Sequence, residues 1–267
     1  MLYSVLPEPP RTLDPAEAYS TVDHLVTGPV YETLLEYHFL KRPYTLIPGI
    51  AREVPQPRPL PDGRVAYRFE LRDDLLYQDD PCFELAGEGL RTRAVRAADV
   101  AFELQRIGDA DVNSPVVGTF WKIVGLKAFG ERLKEKRKDP AFAALRIDRQ
   151  YEQAGPIEGL RVLSEHAFEI VLVESYPQIV YWFAMEFTTP VPWEAVAYYD
   201  GEEGRDLFSE HPVGAGPYQL SVYDKRNRIV LDQNPNWYGI RHPEKKAPAA
   251  TYPSEGAPGD AEAGRLD

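Results

Sequence analysis

From Ala51 to Arg72 the hydrophobic pattern has a period of two: Val65, Tyr67, Phe69 and Leu71 alternate with Arg64, Ala66, Arg68 and Glu70. Side chains of a strand point alternately to its two faces, so this spacing predicts a half-buried strand. Pro61-Asp62-Gly63 before it is a turn, because proline presets φ and glycine accepts a positive one. The strand is therefore entered through a hairpin. The same logic predicts a second hairpin, from Leu160–Leu163 and Phe168–Val173 around Ser164-Glu165-His166-Ala167, and a third from Pro217 to Asp232 turning at Asp224–Asn227. A chain built on hairpins makes antiparallel sheet, which sets it apart from a regular βαβ alternation.

Elsewhere the period is helical. Val100, Leu104 and Ile107 place one apolar face on a helix over 97–108. Residues 21–37 carry Val22, Leu25, Val26, Val30, Leu34 and Leu35, with Pro29 breaking or kinking the pattern. A helix is expected over 119–137 and an aromatic-rich one over 176–187. Residues 1–20 read as extended and proline-rich. From 247 to 267 the sequence is Ala, Pro, Gly, Glu and Asp, too poor in apolar surface to offset the entropy of ordering, and disorder is expected there. The fold class is mixed α/β.

The formal net charge is −12, and the one basic run, Arg132 to Lys138, is interrupted by Glu135. Nucleic-acid binding needs clustered Lys and Arg to replace counterions, so that class is excluded; self-repulsion favours a monomer. Cys82 is the single cysteine and can close no internal disulfide. No stretch approaches 18 apolar residues, so no transmembrane helix is expected. Met1 to Pro10 lack the charged and apolar regions of a signal peptide.

Catalytic constellations do not assemble. His24, His38, His166, His211 and His242 include no i, i+4 pair of the kind that grips zinc on a helix, and no metal is expected. There is no G-x-S-x-G elbow and no P-loop. Gly214-Ala215-Gly216-Pro217 is glycine-rich, but Pro217 lacks the amide a phosphate cradle would use, so a tight turn into the strand at Tyr218 is the expectation. Asp73-Asp74, Asp79-Asp80 and Glu202-Glu203 are paired in sequence, which does not place two carboxyls across a bond. No enzymatic activity is expected, and no cofactor.

Four segments, in order, resemble the oligopeptide/dipeptide-binding class of bacterial extracellular solute-binding proteins. They are Thr12-Leu13-Asp14-Pro15 with Val30-Tyr31-Glu32-Thr33-Leu34-Leu35; Asp62-Gly63-Arg64 with Tyr67 to Arg72; Leu76 to Pro81 followed by Ala97-Ala98-Asp99-Val100; and His211-Pro212-Val213-Gly214-Ala215-Gly216-Pro217-Tyr218 with Asn234-Pro235-Asn236-Trp237-Tyr238-Gly239. The sequence departs from the family pattern at Thr33 (usually Gly), Arg96 (usually a capping Thr) and Ala215 (commonly Thr).

The resemblance implies a periplasmic-binding-protein-like lobe with an inserted hairpin-and-helix subdomain, and about half of a family member, the second lobe being absent. On that plan residues 1–44 and 189–240 are first-lobe parts, 45–188 the inserted subdomain and 241–267 an inter-lobe linker. It implies the solute-binding component of an ABC importer, periplasmic or anchored outside the cytoplasm, holding a peptide ligand between two lobes for a membrane permease. Nickel chelates, haem or oligosaccharides on the same scaffold, or a sensor module, are the alternatives. The ligand-binding residues it suggests are Tyr31 and Glu32, with Glu32 meeting the peptide's N-terminal region, then Tyr218, Trp237 and Tyr238, which the residue types alone equally assign to core packing.

Overall fold

The computed structural model describes residues 5–200 and 207–241. Helix α1 (Thr21–Thr27) opens on a reciprocal cap. Ser20 Oγ accepts from the Asp23 N–H at 3.1 Å, and the Asp23 carboxylate accepts from the Ser20 N–H at 3.2 Å. The helix stops before Pro29, and the chain re-enters as strand β1 (Leu35–Tyr37), which pairs with β2 (Leu46–Pro48). The expected helix over 21–37 is thus one two-turn helix and a strand, because proline ends the helix at the residues before it.

Strands β3 (Arg58–Pro59) and β4 (Val65–Glu70) form the first expected hairpin. After a 3₁₀ turn at Pro81–Leu85 comes α2 (Ala97–Gly108), with the bounds its periodicity predicts. The helix expected over 119–137 is two helices. Helix α3 (Val117–Phe120) ends at Trp121, the chain turns at Gly125 with φ 83°, and α4 (Leu126–Lys136) follows. Short helices α5 (Pro140–Ala143) and α6 (Ile147–Ala154) lead to the hairpin of β5 (Leu160–Ser164) and β6 (Ala167–Leu172).

Strand β4 pairs antiparallel with β6, giving one four-stranded sheet in the order β3-β4-β6-β5. In that register Phe69 faces Phe168, and their rings stack at 4.8 Å between centroids; Phe183 closes on Phe69 at 4.4 Å. This explains the third departure from expectation. Residues 176–187 hold only α7 (Ile179–Trp182) and a 3₁₀ turn at Glu186–Thr188. Consecutive β-branched and aromatic residues are weak helix formers, and burial of Phe183 and Phe187, both 0% exposed, fixes the backbone instead.

Helix α8 (Trp193–Tyr199) packs on the Pro81–Leu85 turn, and the chain ends its described part with β7 (Tyr218–Asp224), β8 (Arg228–Gln233) and α9 (Tyr238–Arg241). β7 and β8 pair only with each other among the described residues. The expectations for 242–267, disorder and a linker, lie outside the described residues, as does the Glu202-Glu203 pair.

Three buried or half-buried arginines tie the elements together. Arg93 forks onto Asp99 at the start of α2 and onto Glu194 in α8, with contacts of 2.6–2.8 Å. Arg106 in α2 grips Asp14 through both Nη atoms and Glu103 at 2.9 Å. Arg137 forks onto Asp109, which also accepts from Tyr151 Oη at 2.9 Å. Bidentate guanidinium–carboxylate pairs combine charge with fixed geometry, so each sets the angle between the elements it joins.

Candidate functional site

Two glycines bring the ends of the sequence together. The loop Pro29–Val30 lies directly against Gly214–Pro217: the Gly216 N–H donates to Val30 O at 2.8 Å and the Tyr218 N–H to Pro29 O at 3.0 Å. A Cβ at Gly216 would stand 2.5 Å from Val30 O, and one at Gly214 would overlap the same oxygen, so only glycine admits this approach. The glycine-rich segment is therefore a backbone clamp, and the Gly214 and Gly216 amides are both engaged within the protein, on Gln78 Oε1 and Val30 O.

Asn234 continues the clamp. Its side chain is fully buried, its Nδ2 donates to Gly216 O at 2.8 Å, and its Oδ1 accepts from the Asn236 N–H at 3.0 Å. Asn236 in turn donates to Tyr77 O at 3.0 Å and Asp79 Oδ1 at 2.7 Å. This turn delivers Trp237 to Glu32, where the indole Nε1–H donates to Glu32 Oε1 at 2.6 Å. The indole lies back over Gly239, where a Cβ would collide with its ring. From the other side Thr189 Oγ1 donates to the Glu32 carbonyl at 2.6 Å, so both the backbone and the carboxyl of Glu32 are held.

Tyr238 completes the group. The Arg72 guanidinium lies 4.0 Å over its ring, and Arg72 forks onto Asp74 at 3.0 and 2.9 Å. Arg241 donates to Asn236 O at 2.8 Å and reaches the Asp74 carbonyl. Burial pushes the Glu32 carboxyl up to about 7; the Trp237 hydrogen bond opposes this, the nearby Glu36 carboxyl adds to it, and Arg72 opposes it. Burial likewise raises Glu36.

The structure brings Glu32, Trp237 and Tyr238 into one group but separates Tyr31 from it. Tyr31 is 3% exposed, with its hydroxyl donating to Leu13 O at 3.4 Å. Tyr238 is also 3% exposed, beneath Arg72. Both were expected to line a ligand; in the described residues each ring is packed inside this chain. Tyr218 is 45% exposed and is tied to the group through its backbone. The solvent-facing part of the candidate site is thus half-buried Glu32 and Trp237, with Tyr218 beyond them. Sequence reasoning gave Arg72 and Thr189 no role and weighed Asp74 only as one of a pair of acids; Arg72 lies inside a quoted motif, but nothing in its spacing shows that it covers Tyr238.

Among the described residues no three His, Cys, Asp or Glu side chains converge as a metal site requires. Cys82 is buried, and burial and the adjacent Asp80 carboxylate push its thiol far up, away from the reactive thiolate. No helix in the described residues is long and apolar enough to cross a membrane.

Comparison with known proteins adds the following. The sequence pattern of the bacterial extracellular solute-binding proteins, family 5 Middle, matches residues 45–252. The probable ABC transporter periplasmic-binding protein SapA of Escherichia coli (strain K12) is 28% identical over 232 residues, which is 85% of this chain and 36% of the relative. The peptide transport periplasmic protein SapA of Salmonella typhimurium is 26% identical over 232 residues, 85% of this chain and 35% of the relative. The structure of the Escherichia coli murein tripeptide binding protein MppA superposes with a TM-score of 0.61 at 18% identity, covering 88% of this chain and 38% of that one. This chain therefore spans little more than a third of the length of the proteins it matches.

Proposed function

Because the chain belongs to the bacterial extracellular solute-binding proteins of family 5, we propose that it forms part of the solute-binding component of an ABC importer whose ligands are peptides. The observation that carries the peptide reading is the Glu32 carboxyl, half-buried, fixed by Trp237 at 2.6 Å and without an ion pair among the described residues. An acid in this state suits a single ligand ammonium, such as the α-amine of a peptide, because a charge-assisted hydrogen bond in a partly dry site outweighs the same contact in water. The names of the relatives, one a peptide transport protein and one a murein tripeptide binder, support the same ligand class.

On this reading residues 1–44 and 189–240 supply one wall of a cleft, and 45–188, which hold the four-stranded sheet, form a subdomain beside it. The four-stranded sheet lies wholly within that segment, which supports the division, while one continuous hydrophobic core joins the segment to the parts on either side of it. The ligand would be closed upon by a second lobe, and the closed state would be the one a membrane permease recognises; a ligand shifts such an equilibrium only by its differential contacts with the two states. The periplasm, or the outer face of a membrane, is the matching location.

A thermal-shift screen with di- to pentapeptides tests this, comparing the 267-residue chain with a version extended to the relatives' length. The extended version gains stability in peptide and the shorter chain gains little, since half of the contacts are missing. If neither gains, and metal chelates or oligosaccharides stabilise the extended version instead, the peptide reading is wrong.

A further inference from the structure

Glu32 has no cation of its own among the described residues and only one donor to its carboxyl, the neutral Trp237 indole. Asp23 and Asp80 are enclosed without a cation too, but each accepts from at least two groups, the Arg11 and Ser20 amides for Asp23 and the Cys82 amide and Tyr199 hydroxyl for Asp80. Asp14, Asp99, Asp109 and Glu194 each sit on an arginine fork. Among the described residues the only donor to the Glu32 side chain is the Trp237 indole, and no Lys, Arg or His lies within ion-pair distance. The charged and titratable groups that face it are Glu36 on β1, Arg72 after β4, and Tyr238 on α9. Arg72 is engaged by Asp74 and lies over the Tyr238 ring, so its charge is already committed, and Glu36 has the same sign as Glu32. A half-buried carboxyl with one neutral donor and an acid beside it retains its proton, because burial disfavours the charged form.

We infer that in mildly acid solution Glu32 is a neutral acid in the unliganded molecule, and that a ligand ammonium displaces its proton to solvent, so that below the Glu32 midpoint each binding event releases up to one proton. This rests on the peptide reading above and adds a regulation to it. The exchange balances: the carboxylic acid and the ammonium give an ion pair and one hydrated proton, with no covalent bond made to the ligand. Trp237 is a positioning residue in this exchange. Its N–H holds Oε1 before and after proton loss and stabilises the ionised form, so the second oxygen is the one presented to the ligand. The consequence is a site tuned to the pH outside the cell. Below the Glu32 midpoint, affinity for an amine rises about tenfold per pH unit. Above about 8 it falls again, as the α-amine of the ligand loses its own proton.

The first arm of the test needs no ligand. In ¹⁵N–¹H spectra of the full 267-residue chain, the Trp237 indole signal, identified by its disappearance in Trp237→Phe, moves with a midpoint near 7, the value to which Glu32 is raised. In Glu32→Gln it stays still. A signal that is flat from acid to neutral pH, or one that titrates unchanged in Glu32→Gln, overturns the inference. The second arm titrates trialanine and N-acetyl-trialanine at pH 5, 6 and 7 into the version extended to the relatives' length, which carries the same Glu32 and Trp237. Trialanine binding strengthens about tenfold per unit at the acid end, while the blocked peptide shows no such rise. Equal trialanine affinity at all three values overturns the proton exchange and leaves the peptide reading standing. If the indole titrates but neither peptide perturbs the Glu32 and Trp237 signals, the peptide reading fails, and the exchange with a peptide amine fails with it.

Discussion

The guanidinium of Arg106 grips the carboxylate of Asp14 across 92 residues of sequence, with Nη1 2.9 Å from Oδ1. Arg106 is 3% exposed and Asp14 5%, and the same Nη1 also reaches Glu103 at 2.9 Å. One cation thus holds two enclosed acids, and α2 is locked to the segment that precedes α1.

Removal of that cation should be severe. Arg106→Met keeps an apolar stem but leaves Asp14 without its counter-charge and Glu103 without its donor, and stability in urea titration is expected to drop by about 3–5 kcal/mol. Arg106→Lys, which keeps the charge but loses the fork, should fall in between. A loss under about 1 kcal/mol for Arg106→Met would mean the triad is not the lock between these segments.

Stability should decline as pH rises from mildly acid to mildly alkaline. Burial raises Glu103 to about 8 and Glu32 to about 7, against an ordinary 4.5. Both folded-state values lie above the unfolded one. The folded chain therefore binds more protons in that window, and the stabilisation, complete below 4.5, is lost as pH climbs through 7 and 8. His24, raised by its bond to Glu186, acts in the same direction. Urea midpoints at pH 5, 6, 7 and 8 will fall steadily in the native chain and less steeply in Glu103→Gln; parallel slopes would refute the assignment to Glu103.

Gly216→Ala tests the backbone clamp. The new methyl group would stand 2.5 Å from Val30 O, and relieving it means opening the amide bond to that same oxygen. An expected cost of about 1–3 kcal/mol, in the range of overpacking, should accompany faster hydrogen exchange at the amides of residues 216 and 218.

Gly239→Ala should act on the site with little effect on the core. Its methyl group meets the Trp237 ring, so the indole is turned away from Glu32. Loss of one neutral hydrogen bond costs about 1 kcal/mol, and the indole signal should cease to follow pH. A signal that titrates as in the native chain would show that the ring has not moved.

Arg96→Thr should be stabilising. Arg96 is exposed at the N-cap of α2 and supplies no side-chain acceptor, although Asp99 already accepts from its N–H at 2.9 Å. A threonine hydroxyl would satisfy a further free amide, for a gain of about 0.5–1 kcal/mol in thermal or urea unfolding.

What was legible in the sequence follows from what is local. The three hairpins and α2 are written in periods of two and 3.6, and the structure has all four. The breaks in the long helices were less visible, because Gly125 and Phe183 take their conformations from tertiary contacts. The charged side of α2 carried no signal of its role. Asp99, Glu103 and Arg106 are buried, since their partners Arg93 and Asp14 come from outside the helix. The site shows the same limit. Glu32 and Trp237 were named from resemblance, but their mutual hydrogen bond, the cover of Arg72 on Tyr238 and the enclosure of Tyr31 depend on long-range packing that no spacing encodes.

The Glu32–Trp237 bond spans 205 residues, and the clamp of Val30 on Gly216 is scarcely shorter. A ribosome adding about 5–20 residues per second needs about 10–40 s to travel from one partner to the other. During that interval the first segment has lost its place in water but has not gained its place in the protein. Contacts of such sequence separation close late and slow folding. The opening motif of this chain therefore stays without its partners until the turn at residues 234–237 has been made.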